Sequence, residues 1–344
     1  MPHRPRIRST KLADFHIPTV AIIGGESLIG REVRDLLGGL KPSPDIRLVS
    51  GEADSTKVTR DESGEAILLA PLDTETLALA DVMILAGTPE SARRALELND
   101  IEEVALIDLT GTLEEHPRAR LRAPELEPVG TRPDDAIDVI AHPAAIALAM
   151  FYQRLAEEFP ILSSVVEVFE PASELGQAGI TELQAQSVNL LSFKPLPKDV
   201  YDAQVGFSLL AAYGKESRHN LEEVEARIDR HLATLLLISS HAPMPSLRLI
   251  QAPVFHGYSA SIWVEFKQKP QVQALEEALA SMRIEVRTSD EEPPNNVGVV
   301  GENGLSVGGI RADRNHPRAF WFWLVADNLR IMAEAAVAVA KENL

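Results

Sequence analysis

The sequence contains no cysteine. Disulfides, cysteine-ligated zinc, iron–sulfur clusters and every mechanism that runs through a thiolate are therefore excluded. The compartment stays open on that count, because a thiol-free chain suits either redox environment. Positive charge is also scarce: 33 Lys and Arg stand against 51 Asp and Glu, a formal net charge of -18. Such a surface repels phosphate polymers and anionic lipid, so neither nucleic acid nor a membrane surface is an expected partner. No stretch reaches the roughly 20 apolar residues of a transmembrane helix, and a cytoplasmic protein is the expectation. The one basic cluster, Arg4, Arg6, Arg8 and Lys11, lacks the apolar run of a secretion signal and reads as a solvated tail over residues 1–15.

What is present is ordinary globular composition, 45% hydrophobic and 24% charged over 344 residues, enough for two packed domains. Residues 19–24, TVAIIG, form a β-branched run that ends in glycine, and residues 31–37 then show helical spacing. Further apolar runs at 46–50, 66–70, 81–86, 104–109 and 136–141 read as strands, with a helix over 89–98 that has Pro89 in its first turn. Strands alternating with helices and glycine turns argue for a doubly wound parallel sheet. A helix begins near Pro143, and its Ala-rich sequence suits a buried element between domains. Beyond it, strands are expected at 163–169, 250–255, 261–266, 295–300 and 304–310, and helices at 221–237, 271–281 and 326–343. This second half reads as α+β with a mainly antiparallel sheet. There is no internal repeat or low-complexity tract.

The turn Gly24-Gly25-Glu26-Ser27-Leu28-Ile29-Gly30 has the outer glycines of a phosphate-cradling loop, with Ser27 in place of the middle one. Leu28 and Ile29 open the helix whose amides would face a pyrophosphate, and Gly87 closes the neighbouring strand. Glu26 adds a negative charge near the expected phosphates and opposes them unless its side chain points away. Glu52, past the second strand, can accept from a ribose 2′-hydroxyl and repels a 2′-phosphate, so NAD(H) is favoured over NADP(H). A turn that binds no nucleotide at all is the alternative. No Gly-x-Ser-x-Gly elbow is present, and the nine histidines lack metal-ligand spacing. His142 and His256 stand at element ends, where either a catalytic or a hydrogen-bonded structural histidine could sit. Glu222 and Glu223 open a helix, where they favour its dipole.

Taken in order, VAIIGGESLIGREV, DVMILAGTPES, ALIDLTG, IAHPAAIA, APVFHGYSASIWVEF, VGGIRAD and LVADNLRIMAEAAVAVA resemble the aspartate-semialdehyde dehydrogenase family over nearly the whole chain. The resemblance implies a Rossmann-type nucleotide-binding domain over residues 16–142 that takes back residues 325–344. An α+β catalytic-type and dimerisation domain then spans 143–324. It also implies reduction of an aspartyl phosphate by NADPH through a cysteine thioester.

The site residues do not carry over. The family's Asn-Pro-Asn-Cys falls on His142-Pro143-Ala144-Ala145, which puts a methyl group in place of the nucleophile. The histidine base falls on Tyr258, whose ordinary pKa of ~10 suits it poorly to that task. His256 is expected on the opposite side of a strand-like backbone. The carboxylate-binding arginine falls on Gln251, the phosphate-binding arginine on Glu114, the active-site glutamine on Glu170 and the phosphate-binding lysine on Glu225. The Ser-Gly-Ala-Gly loop becomes Ser173-Glu174-Leu175-Gly176. Acids at cation positions would repel an acyl phosphate, by about 4 kcal/mol for a like-charge pair at ~4 Å and an effective dielectric of ~20. The pattern is similar to the non-catalytic, Usg-like paralogues, and a homodimer or a heteromer with an active paralogue is expected. The alternatives are a cysteine-independent NAD(P)-linked oxidoreductase, with Tyr258 or His142 as acid, and a purely structural dimeric scaffold.

Overall fold

The apolar run at the start of the chain becomes β1 (Thr19–Ile23), buried along its whole length, as a central parallel strand covered on both faces must be. In the computed structural model, residues 17–51, 57–60, 66–98, 104–127, 136–240 and 242–344 are described. The N-terminal tail and Glu52 lie outside them. β1 is flanked by β2 (Asp45–Val49) and β5 (Val82–Leu85). The sheet continues through β6 (Ala105–Asp108) and β8 (Ile137–Ile140) to β7 (Ala119–Arg122), and every pairing is parallel. Helix α1 (Leu28–Gly38) and α3 (Pro89–Leu98) are its crossovers, and α2 (Thr74–Leu77) is a single turn. β3 (Lys57–Arg60) and β4 (Ala66–Leu69) pair as a separate antiparallel ribbon. The strand order reverses at β1, so the ends of β1 and β5 form the crevice where such folds bind ligands.

Helix α4 (Pro143–Glu158) begins directly after β8, with Pro143 at its first position and the His142 ring capping the Ala144 amide. Its alanines and leucines are buried on nearly every side, between α6, α7, α8 and the second sheet. That sheet runs β10 (Ser246–Gln251), β9 (Ile161–Glu170), β11 (Tyr258–Phe266), β14 (Ala319–Ala326), β13 (Leu305–Ala312), β12 (Ile284–Val286). It is mixed rather than mainly antiparallel. Its three central pairings are antiparallel, while the outer pairs β10–β9 and β12–β13 are parallel. A parallel pair needs a long crossover, and here α5 (Gly176–Leu191) and α6 (Leu221–Ser239) lie between β9 and β10. α7 (Val272–Leu279) precedes β12, and α8 (Asn328–Lys341) returns to pack on α1, β6 and β8.

Two strand expectations fail for local reasons. The run at 250–255 ends as a strand at Gln251, because Pro253 has no amide for the ladder. Residues 296–300 form turns: the Asn295 side chain accepts from the Val297 and Gly298 amides, offering the backbone an alternative to pairing. Helix α5 was not foreseen because its packing face is partly polar. Glu182 accepts from the Val200 and Tyr201 amides, and Gln186 binds Pro197 O, Ala203 O and the Val205 and Gly206 amides.

Arg122 ties the C-terminal helix to the first sheet. Its guanidinium, 3% exposed, donates to Glu127, to Asp138 of β8 and to Glu342 at the end of α8. Removing the cation would leave Asp138, which is fully buried, without this partner. We therefore expect Arg122→Ala to destabilise the fold by about 3–5 kcal/mol, read by denaturant unfolding. A change below about 1 kcal/mol would show that the network contributes little.

Candidate functional site

The site has two parts, both at the C-terminal ends of the first sheet's strands. In the first, three glycine turns meet. Gly24 follows β1 at φ +85°, and a Cβ there would lie 2.3 Å from Gly87 Cα, past β5. Gly51, past β2, lies against the same pair, since its Cβ would stand 3.4 Å from Gly24 Cα. Ser27 caps α1 by accepting from the Gly30 amide and donates to Ala86 O at 2.7 Å, joining this turn to the end of β5. The first-turn amides of Leu28 and Ile29 have no acceptor among the described residues. Glu26 turns to the end of β2: its Oε1 accepts from the Gly51 amide at 2.9 Å, and its Oε2 is buried without a hydrogen-bond partner among the described residues. A cradle that any side chain would fill, free helix amides and an orphaned acceptor are features that fit a nucleotide.

The second part lies where α4, α6, β9, β10, β11 and α8 converge. Ala145 is fully buried in the first turn of α4, and Glu170, Gln251 and Tyr258 are at most 2% exposed. The Gln251 amide is oriented by donating to Glu170 O and Ala252 O, both at 2.9 Å, which leaves Oε1 as an acceptor. Tyr213 Oη stands 2.7 Å from that oxygen and 3.0 Å from Glu170 Oε1. One hydroxyl has one proton. If Tyr213 gives it to Gln251, the shorter contact, the Glu170 contact is completed by a proton on Glu170; an ionised Glu170 would accept it instead. Burial, reinforced by the charge of Glu174, pushes the Glu170 carboxyl up to about 8, consistent with the protonated form.

Glu174, raised by burial, accepts from Asn328 Nδ2 at 2.7 Å. Asn328 also binds Ser173 Oγ and accepts from the Gly257 amide. Tyr258 lies beside them, its ring centroid 6.0 Å from that of His142. Its buried hydroxyl has no well-formed hydrogen bond, and burial and the nearby carboxylates raise its pKa well above the ordinary value. It therefore holds its proton more tightly than an ordinary tyrosine and cannot act as a base near neutrality. His142 is pushed well below the usual range by burial and, after it, by the charge of Arg227.

Glu114 is not a bare reversed charge. Arg227 Nε donates to it, and His231 Nε2 stands 3.3 Å away. His231 Nδ1 accepts from the His142 amide at 2.9 Å, which fixes the proton on Nε2 and aims it at Glu114. Burial opposes the Glu114 charge, but the hydrogen bond from His231 and the Arg227 guanidinium hold its carboxyl below the usual range. The repulsion expected from Glu114 is thus cancelled at its source. Glu225 is no part of this cluster: it turns to the second sheet, where Oε2 accepts from the Leu249 amide at 2.6 Å. The helix brings two cations to Glu114 instead: Arg230, 3.8 Å away, and Arg227, packed so closely on Gly111 that a Cβ there would lie 2.1 Å from Arg227 Nη2.

Residue by residue, the structure brings Glu170, Gln251, Tyr258 and Glu174 together and joins Glu114 to His142 through His231. His256 lies apart, beside Leu28 and Asp327 in a cleft between α1 and α8. Arg227, His231, Tyr213 and Asn328 were not singled out from the sequence. The helical spacing of Arg227 and His231, four residues apart on one face, was the available signal.

With the Glu170 carboxyl raised from 4.5 to about 8, its own contribution to stability is fully present below about 4.5 and is lost as pH rises through about 8. Glu170→Gln removes the titration, so its melting temperature should change less than wild type between about pH 5 and 9, a difference on the order of a few kcal/mol at most. Parallel pH profiles of the two proteins would rule the protonated acid out.

Residues 153–331 match the family described as semialdehyde dehydrogenase, dimerisation domain. The chain is 26% identical over 332 residues to the aspartate-semialdehyde dehydrogenase of Rickettsia bellii (strain RML369-C), covering 94% of this chain and 96% of that protein. It is 24% identical over 323 residues to a USG-1 protein homolog of Pseudomonas aeruginosa, covering 90% and 93%. The solved structure described as a probable aspartate-semialdehyde dehydrogenase from Pseudomonas aeruginosa shares the fold, with a TM-score of 0.82 at 23% identity over 95% of this chain and 98% of that one.

Proposed function

The chain belongs to the aspartate-semialdehyde dehydrogenase family, and from that premise we propose that it is a catalytically silent, dimeric member acting through binding. The observation that carries this reading is the filled centre. Where the family resemblance expects a thiol, Ala145 offers a buried methyl group, and several of the site's side chains bond one another. Tyr213 and Gln251 close on Glu170, and Tyr258 keeps its proton. His142 Nδ1 is taken by the Ala144 amide. A covalent acyl transfer needs a nucleophile with a base in reach, and neither is available here.

A purified preparation should show no phosphate-dependent oxidation of aspartate semialdehyde above a mock preparation. Ala145→Cys should stay inactive, with thiol titration confirming the new sulfur, because the base and the anion clamps are missing too. Turnover by the wild type that is abolished by Tyr258→Phe would overturn the reading.

Dimerisation is supported by the second sheet's outer face. Val166, Val168, Ile262, Val264, Phe320, Phe322 and Leu324 point to the core beneath α4. The alternating residues point the other way, and all three tryptophans of the chain are among them. Trp263 pairs with Trp321 and Val165 across the strands, and Trp323 with Ser261. Their indole N–H groups are satisfied by Asp313 and Pro294 O, leaving the rings to face outward. Leu191, Phe193 and Phe207 are also exposed, the two phenylalanines with positive φ, a conformation that strains a bulky residue. Such a display fits a second copy of the chain. Light scattering should give twice the 37.5 kDa chain mass. Trp323→Glu should shift the protein toward the monomer while its circular dichroism is retained. A wild-type monomer throughout the micromolar range would refute the dimer.

A further inference from the structure

Among the described residues, Glu26 is an acid of the crevice that the fold leaves half-satisfied. Its carboxylate is wedged at the joint of the turns after β1, β2 and β5, so close to Gly51 that a Cβ there would lie 3.3 Å from Oε1. Oε1 has the Gly51 amide. Oε2 is buried and has no hydrogen-bond partner, and Glu26 forms no ion pair, among the described residues. A buried carboxylate oxygen without a donor is destabilising, and at the mouth of a ligand-binding crevice it can take a donor that a ligand brings.

Its place in the fold says what kind. In a doubly wound sheet the pyrophosphate sits at the N-terminus of the first helix, and the adenosine ribose lies at the end of the second strand, where an acid reads its hydroxyls. Here the free amides of Leu28 and Ile29 stand at the first position, and the Glu26 carboxylate reaches the second by bonding Gly51. We propose that Glu26, supplied from the loop after β1, is the ribose-reading acid of this chain. The crevice then takes an adenine nucleotide with a free ribose diol, a 2′-hydroxyl donating to the Glu26 carboxylate, and shuts out nucleotides that carry a 2′-phosphate. A 2′-phosphate would have to compete with the carboxylate for the Gly51 amide and would meet its charge at contact distance. The inference rests on the family's nicotinamide cofactor and is independent of whether the chain turns over substrate.

Calorimetric titration of the full-length protein with NAD, ADP-ribose and NADP tests it. NAD and ADP-ribose should bind, with NADP at least about tenfold weaker, a difference of ~1.4 kcal/mol. Glu26→Gln keeps the side chain's shape and an acceptor for Gly51 while removing the charge, and should bring NADP to within about threefold of NAD. Glu26→Ser, which drops the contact altogether, should do the same if Gln perturbs the turn. NADP binding as tightly as NAD to the wild type would overturn the proposal. So would a preference unchanged in both variants, or no nucleotide binding to any of the three proteins at millimolar concentration. None of these results bears on the silent catalytic centre, which is read by turnover alone.

Discussion

Everything in this structure depends on a helix that can be buried on almost all sides. α4 leaves the first sheet at the end of β8 and delivers the chain to β9 of the second, so its first turn lies at the meeting point of both halves. Only small and aliphatic side chains permit neighbours to approach it from every side, and the run PAAIALAM supplies them. The same requirement places Ala144 and Ala145 at the centre of the candidate site. His142 caps the helix through its ring while its amide donates to His231, so the cap and the site share one residue.

Around that helix the acids are neutralised within the chain. Burial favours a proton on Glu170, which lies against Tyr213, and Glu114 is held by Arg227 and His231. The centre is not closed on itself entirely: Glu170 Oε2, Tyr258 Oη and Arg227 Nη2 are buried without hydrogen-bond partners among the described residues. An anionic substrate there would meet Glu114 and Glu174 beside these groups in a poorly solvated position. The crevice at Gly24 has free amides and an orphaned oxygen of its own.

Much of this was legible in advance. Continuous apolar runs ending in glycine marked β1, β5 and β6, because strands buried on both faces carry no alternation. The Ala-rich stretch after Pro143 marked α4 for the same reason. The resemblance located Ala145, Glu170, Gln251 and Tyr258, which the fold gathers. What escaped was whatever depends on partners distant in sequence. α5 hides its packing face in Glu182 and Gln186, which look like surface residues until the loop they bond is present. Glu114 looked like a reversed charge until α6 brought Arg227 to it.

The sequence by itself determined most of the first sheet's strands and helix α4, the pairing of a parallel sheet with a second α/β layer, and the absence of a sulfur nucleophile. These follow from local side-chain chemistry and spacing. Only the tertiary structure decided the charge state of the site and the direction of Glu26. It also decided the parallel outer pairs of the second sheet and the gathering of the three tryptophans on one face. Protonation, desolvation and strand pairing are properties of neighbours, and most of those neighbours are tens to hundreds of residues away along the chain.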